Sequence, residues 1–160
     1  MVELVRSPLA RPPRRGNDRG PIREFLIFSL ASELYGVELA GIKEIVSPPP
    51  ITPVPRSAPG VVGVCSVRGL LVTVLDLRLR LRVETRALGR RTRILLSTAQ
   101  SGEAIGLLVD EVRQVVRLAE GEIEVAATAL GGDVAEHVLG VGRSDGLFLV
   151  LLDLKAILKD

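Results

Sequence analysis

The chain has 160 residues, 47% hydrophobic but only 2% aromatic, with a formal net charge of +2. That length suits one domain able to bury roughly two-thirds of its unfolded surface, with a core of Val, Leu, Ile and Ala rather than rings. A single cysteine excludes an intramolecular disulfide framework. The longest apolar run, Leu147–Leu152, falls far short of the ~20 residues of a membrane span. Residues 1–21 lack the apolar stretch of a signal peptide, so a reducing cytoplasm is the expected location.

The basic charge is concentrated at the start. Residues 1–24 hold six Arg against Glu3, Asp18 and Glu24, leaving the rest close to neutral. Pro8, Pro12, Pro13 and Pro21 fall in a stretch without apolar period, so residues 1–22 read as a disordered Arg/Pro-rich tail and 23–160 as the domain. An Arg-rich tail suits nucleic acid or acidic lipid, and as a solvated arm it needs no partner.

Phe25 to Leu30 is a short β-type run, Ala31 to Glu33 a turn, and Tyr35 to Leu39 alternates as a second strand. Ala40 to Val46 places Ile42, Ile45 and Val46 at helical spacing; a one- to two-turn helix fits, and so does an extended segment. Pro48, Pro49 and Pro50 end it, and Pro53, Pro55 and Pro59 hold an extended connection. Two apolar runs then flank Arg68-Gly69, a strand–turn–strand in which Gly69 takes a positive φ readily. Leu77 to Val83 alternates like an amphipathic strand, yet Asp76 is a good N-cap and favours a short helix there. Arg86 to Arg93 is a basic connection, Ile94 to Ser97 and Ala104 to Val109 are strands, and Arg117 to His137 is a looser link.

The chain repeats itself. Gly63, Val64, Gly69, Leu70, Leu75, Asp76 and Leu77 recur without a gap as Gly140, Val141, Gly146, Leu147, Leu152, Asp153 and Leu154. Upstream, Tyr35-Gly36-Val37 is echoed by Ile105-Gly106-Leu107, and Ile42, Ile45 and Val46 by Val112, Val115 and Val116. Two copies, approximately 23–88 and 89–160, of a unit with many short strands predict a mainly β chain. Two small packed barrels satisfy that prediction, since closing a sheet removes its exposed edges.

Chemistry is sparse. His137, the only histidine, reads as a loop or surface residue and cannot build a His-based zinc site or a triad with a second imidazole. Cys65 lies in an apolar run and reads as an inert core thiol. No phosphate-binding loop or dinucleotide fingerprint occurs. No catalytic, cofactor or metal residue is assigned. Two rivals are weighed. Asp76 and Asp153 at equivalent positions suit the paired carboxylates of an aspartic-type hydrolase, but Leu follows each and helix capping explains both. Arg78, Arg80, Arg82, Arg86, Arg90, Arg91 and Arg93 on a small barrel suit phosphate contacts, but Phe25, Phe28, Tyr35 and Phe148 sit in strand-like runs and read as core rather than stacking platforms.

Val54-Pro55, Pro59, Gly63, Arg68-Gly69 and Val74-Leu75-Asp76-Leu77-Arg78 together resemble the signature of CheW-like domains, adaptors of bacterial chemosensory arrays. Ile42 to Ile45, Gly106 to Val112, Gly140-Val141 and Leu152-Asp153-Leu154 resemble it too, over about Arg23 to Leu158. The resemblance implies two packed five-stranded barrels, no catalytic activity, no cofactor and no small-molecule substrate. Its implied partners are a chemoreceptor's cytoplasmic tip and the regulatory domain of the histidine kinase CheA. It places Glu44 and Arg68 as a charged pair beside the receptor-binding groove, with Ile42 and Gly69 next to them. A purely structural Glu44–Arg68 bridge is the competing reading. Ser66 and Thr73 depart from the usual Asn and Pro, and the tail is outside the pattern. The chain lacks a phosphotransfer bundle or receiver pocket, so it resembles the stand-alone adaptor.

Overall fold

The structure, a computed structural model, describes residues 20–85, 87–125 and 136–159. In chain order it contains β1 (Ile22–Leu30), β2 (Glu33–Glu38), a 3-10 turn (Leu39–Gly41), β3 (Glu44–Val46), β4 (Val61–Val67), β5 (Leu70–Asp76) and α1 (Leu77–Arg80). Then follow β6 (Arg93–Thr98), β7 (Ala104–Val109), β8 (Glu111–Ala119), a 3-10 turn (Glu120–Glu122), β9 (Glu124–Val125), β10 (Val138–Ser144), β11 (Leu147–Leu152) and α2 (Leu154–Leu158). The strands form two sheets, ordered β9-β10-β11-β2-β1-β8 and β3-β6-β7-β5-β4. The mainly β expectation holds.

Neither sheet belongs to one copy of the repeat. The β4–β5 hairpin of the first copy pairs through β5, in parallel, with β7 of the second; β11 of the second pairs in parallel with β2 of the first. Likewise β3 pairs with β6, and β8 with β1. The copies exchange strands reciprocally.

Each sheet is buried on both faces, which explains why its central strands are apolar throughout rather than alternating. Leu26, Phe28, Leu75, Leu95, Leu107 and Leu152 meet in a cluster between the two sheets. The interleaved residues turn the other way. Phe25, Ile27, Leu149 and Leu151 fill one sheet's own interior, and Val72, Val74, Ile94 and Leu108 fill the other's. A sheet can enclose a private core only by curling.

The chain itself draws the edges together. After edge strand β3 it runs on to Thr52, which exchanges two 2.8 Å backbone hydrogen bonds with Val64 of the opposite edge, β4. After edge strand β8 it runs on to β9, which pairs with β10. Glycine permits both approaches: a Cβ on Gly63 would lie 2.2 Å from the Thr52 carbonyl oxygen, and one on Gly140 would lie 2.4 Å from that of Glu124. Thus the two-residue β9 is the counterpart of the Thr52 bridge, and each sheet has five longer strands.

Two local readings are narrowed. Of the two left open for Ala40 to Val46, the extended one is found after the 3-10 turn: Lys43 N donates to Leu96 O at 2.8 Å and β3 joins β6. A free ladder edge satisfies these backbone groups, whereas an isolated turn of helix leaves most unpaired. Ile22 opens β1 opposite Ala119, and Pro21 O accepts from Glu120 N at 3.0 Å. And β8 continues through Arg117 to Ala119, so the looser link starts later. Of the tail expected to be disordered over residues 1–22, residues 1–19 lie outside the described residues.

Candidate functional site

The β4–β5 hairpin turns through Arg68 (φ 52°) and Gly69 (φ 81°), both left-handed, which matches the twist of the flanking strands. Gly69 occupies this region without strain, and Arg68 carries a modest cost there. The Arg68 guanidinium meets Glu44 of β3 in a bidentate pair, Nη1 on Oε1 and Nη2 on Oε2. In sheet order β3 and β4 are opposite edges. The pair therefore clasps one edge to the turn beside the other, and the curl of the sheet makes that reach possible.

The clasp is open to solvent. The Arg68 side chain is 69% exposed and that of Glu44 35%. Hydrogen bonding to Arg68 holds the Glu44 carboxyl below its usual range, and the same bonds raise the Arg68 guanidinium. Ile42 is half-buried on the central core, Ile45 is exposed beside Glu44, and Leu70 and Leu71 stand exposed after the turn. The structure thus brings together Ile42, Glu44 and Ile45 on one segment and Arg68 and Gly69 on the facing turn. Exposed apolar groups close in sequence to a charged pair are the composition found at protein–protein contacts.

The aspartates proposed as a catalytic pair serve the backbone. Asp76 caps α1, its Oδ1 accepting from Arg78 N at 2.9 Å, and Asp153 caps α2, accepting from Lys155 N and Ala156 N at 3.1 and 3.3 Å. Asp76 is also fully engaged by Arg78, whose Nε and Nη2 each donate at 2.8 Å. Arg78 is buried, and its Nη1 reaches Asp110 at 2.9 Å. Asp110 in turn accepts from Ala31 N at 2.7 Å, so one guanidinium ties α1 to the β1–β2 turn.

Four of the arginines read as a phosphate track are engaged by the protein itself. Arg78 is buried, Arg80 donates to the Ile157 carbonyl, Arg93 to those of Arg90 and Thr92, and Arg91 lies 3.6 Å from Glu111. Arg86 lies outside the described residues. Phe25, Phe28 and Tyr35 are core as expected, but Phe148 is 64% exposed with Arg143 stacked 4.9 Å from its ring centre. Beyond a hairpin tip no neighbouring strand covers an apolar residue, and period alone does not show where that cover ends. Cys65 is buried, and burial pushes its thiol up. His137 is half-buried, its carbonyl accepting from Asp153 N at 2.9 Å. Among the described residues no group of three or more His, Cys, Asp or Glu is placed to hold a metal ion, and no described helix is long and apolar enough to cross a membrane. The family resemblance included Asp110, but sequence reasoning did not pair it with Arg78.

Comparison with known proteins agrees with this geometry. The CheW-like domain matches residues 24–160. Chemotaxis protein CheW of Treponema pallidum is 26% identical over 136 residues, covering 82% of this chain and 79% of that protein. Protein FrzA of Myxococcus xanthus is 33% identical over 127 residues, covering 79% and 78%. The crystal structure of scaffolding protein TtCheW from Thermoanaerobacter tengcongensis superposes with a TM-score of 0.75 at 28% identity, covering 83% of this chain and 90% of that one. With the match spanning nearly everything after the tail, the chain belongs to the CheW-like domain family.

Proposed function

We propose that the chain is a non-catalytic, cytoplasmic adaptor coupling chemoreceptors to the histidine kinase CheA in a bacterial chemosensory array. Its partners are the receptor's cytoplasmic tip and the kinase's regulatory domain. The observation that carries the reading is the solvent-exposed Glu44–Arg68 clasp at the hairpin of the family signature, flanked by Ile42, Gly69 and exposed Ile45 and Leu70. Membership in a family whose solved relative is titled a scaffolding protein supports it. The pair sets the turn beside β3, and a partner reads the apolar surface around it.

Pull-downs with a receptor cytoplasmic fragment, alongside urea melts, test this on wild type, Arg68→Ala, Glu44→Arg and the swap of both charges. Arg68→Ala should weaken receptor binding by about tenfold or more, as truncating an arginine central to an interface does, with little change in the melt. The swap should restore the melt better than the binding. If weak binders are unfolded in proportion, the clasp is structural only and the receptor surface lies elsewhere.

A further inference from the structure

Among the described residues, Ala31, Ser32, Arg56, Arg68, Arg82 and Asp145 take a left-handed φ without being glycine. Four of them fill the two-residue hairpin turns at 31–32, 68–69 and 145–146, where the twist of the flanking strands calls for that conformation. Arg56 and Arg82 stand outside any hairpin, at places where backbone geometry favours glycine. Arg56 follows Pro55 as the second residue of a turn, at φ 60°. In a turn opened by proline, a left-handed second place belongs to Gly or Asn. Arg82, also at φ 60°, closes α1: Arg82 N donates to Leu79 O at 3.3 Å and Val83 N to Arg78 O at 2.9 Å. That pair of bonds ends a helix on a left-handed residue, which is usually glycine. Both side chains are exposed, and neither makes an ion pair or a hydrogen bond among the described residues. A side chain in this conformation carries a cost. No contact of either arginine among the described residues offsets it.

The two arginines share one end of the five-stranded sheet. The carbonyl of Gly60, which ends the Arg56 loop, accepts from Asp76 N at 2.8 Å, and a Cβ on Gly60 would lie 3.6 Å from Arg80 Nε. The loop thus lies against the start of α1, a helix whose Leu79 is exposed. The seven residues of β4 separate this end from the Arg68 turn, a span of roughly 20 Å. No carboxylate occurs in residues 53–60. Asp76 and Asp110 hold Arg78, and Glu103 is bonded to Thr73 in a cleft that Lys159 also lines. Glu84, two residues after Arg82, is exposed. With Asp76, Asp110 and Glu84 all counted, Arg56, Arg78, Arg80 and Arg82 still leave this end positive. Neither residues 53–60 nor 77–85 hold an aromatic ring on which a nucleic-acid base could stack. Guanidinium groups beside an exposed leucine suit carboxylates on a protein.

We propose that Arg56 and Arg82 are contact residues for carboxylates on the kinase's regulatory domain, at a surface that stays free while a receptor holds the Glu44–Arg68 clasp. The inference rests on the adaptor reading: a bridge holds two partners at once, so the second needs a surface remote from the first.

Calorimetric titration of the full chain with the kinase's regulatory domain, and separately with the receptor cytoplasmic fragment, tests this beside thermal melts. Arg56→Gly and Arg82→Gly should each raise Tm by about 2 °C, by relieving the left-handed conformation. Each should also weaken regulatory-domain binding about tenfold, the loss of one charge-assisted contact. Arg56→Ala and Arg82→Ala should weaken it as much without the rise in Tm, and Arg56→Lys, which keeps the charge, should lose less. Glu84→Gln should tighten it. Receptor affinity should stay the same throughout. Regulatory-domain affinity indifferent to both glycine variants, or falling in step with receptor affinity, overturns the inference. A drop in Tm in the glycine variants overturns it too, because the side chains would then be holding the backbone themselves. Wild type that binds the receptor but not the regulatory domain sinks this inference alone; wild type that binds neither sinks the adaptor reading with it. Arg56-dependent binding of a thymidine oligonucleotide would assign the surface to nucleic acid instead.

Discussion

Residues 61–80 and 138–158 follow nearly the same path. Both ladders shift register at the start, between Val61 and Gly63 and between Val138 and Gly140. Both turn through two left-handed residues, Arg68-Gly69 at φ 52° and 81° and Asp145-Gly146 at φ 51° and 78°. Both enter a short helix through an aspartate cap. What hangs on this path differs. The first turn carries a guanidinium clasped to Glu44; the second carries Asp145, and Gln114 stands in Glu44's place. The first cap is sealed by Arg78, the second bordered by solvent-exposed Lys155. Glycines and caps recur because backbone geometry demands them, while side chains on that backbone diverge wherever no packed neighbour fixes them.

The sharpest way to break this comparison is to remove the cation from each copy. Arg78→Met leaves Asp76 and Asp110 in a largely buried site with no counter-ion and should cost about 3–5 kcal/mol in urea melts. Lys155→Met removes an exposed charge and should move stability by less than about 0.5 kcal/mol. Equal losses would mean the two places are not as different as they look.

Removing the caps gives a middle-sized effect. Asp153→Ala deletes only the two backbone acceptances and should cost about 1 kcal/mol. Asp76→Ala deletes a cap and both carboxylate oxygens that Arg78 Nε and Nη2 bond, so its loss should be clearly larger by the same melts. Parity between them would place the Asp76–Arg78 contact outside the energetics of folding.

The smallest effect concerns the clasp. The Glu44 carboxyl is lowered by its bonds from Arg68, so the pair's contribution is complete above the ordinary glutamate range near pH ~4.3 and fades as pH falls through the lowered value. Arg68→Ala should return the Glu44 titration, followed by carboxyl carbon NMR, toward the ordinary value. An unchanged titration would mean that the two side chains do not meet in solution.

The hairpin at Arg68-Gly69, the capped helix after Asp76 and the duplicated path were legible because each is written in neighbouring residues: a turn glycine, a cap and an alternation. The partner of β3 was not. Ile42, Ile45 and Val46 have helical spacing, and only the free edge of β6 makes the strand the better solution. The pairing of Asp110 with Arg78 was equally silent, because the two lie 32 residues apart, beyond the reach of any local pattern. Within the candidate site, family resemblance paired Glu44 with Arg68, whereas their exposure and the apolar rim of Ile45, Leu70 and Leu71 needed coordinates.

Strand exchange between the copies also sets the order in which a growing chain can fold. β1 has Ala119 opposite Ile22, and β5 has β7 beside it. At about 5–20 residues per second of synthesis, β1 waits roughly 5–20 s on the ribosome for β8. Through that interval a hairpin apolar on both faces has no permanent edge partner. A neighbouring nascent chain carries the same β8, and strand exchange between chains is the characteristic misfolding route of such a repeat topology.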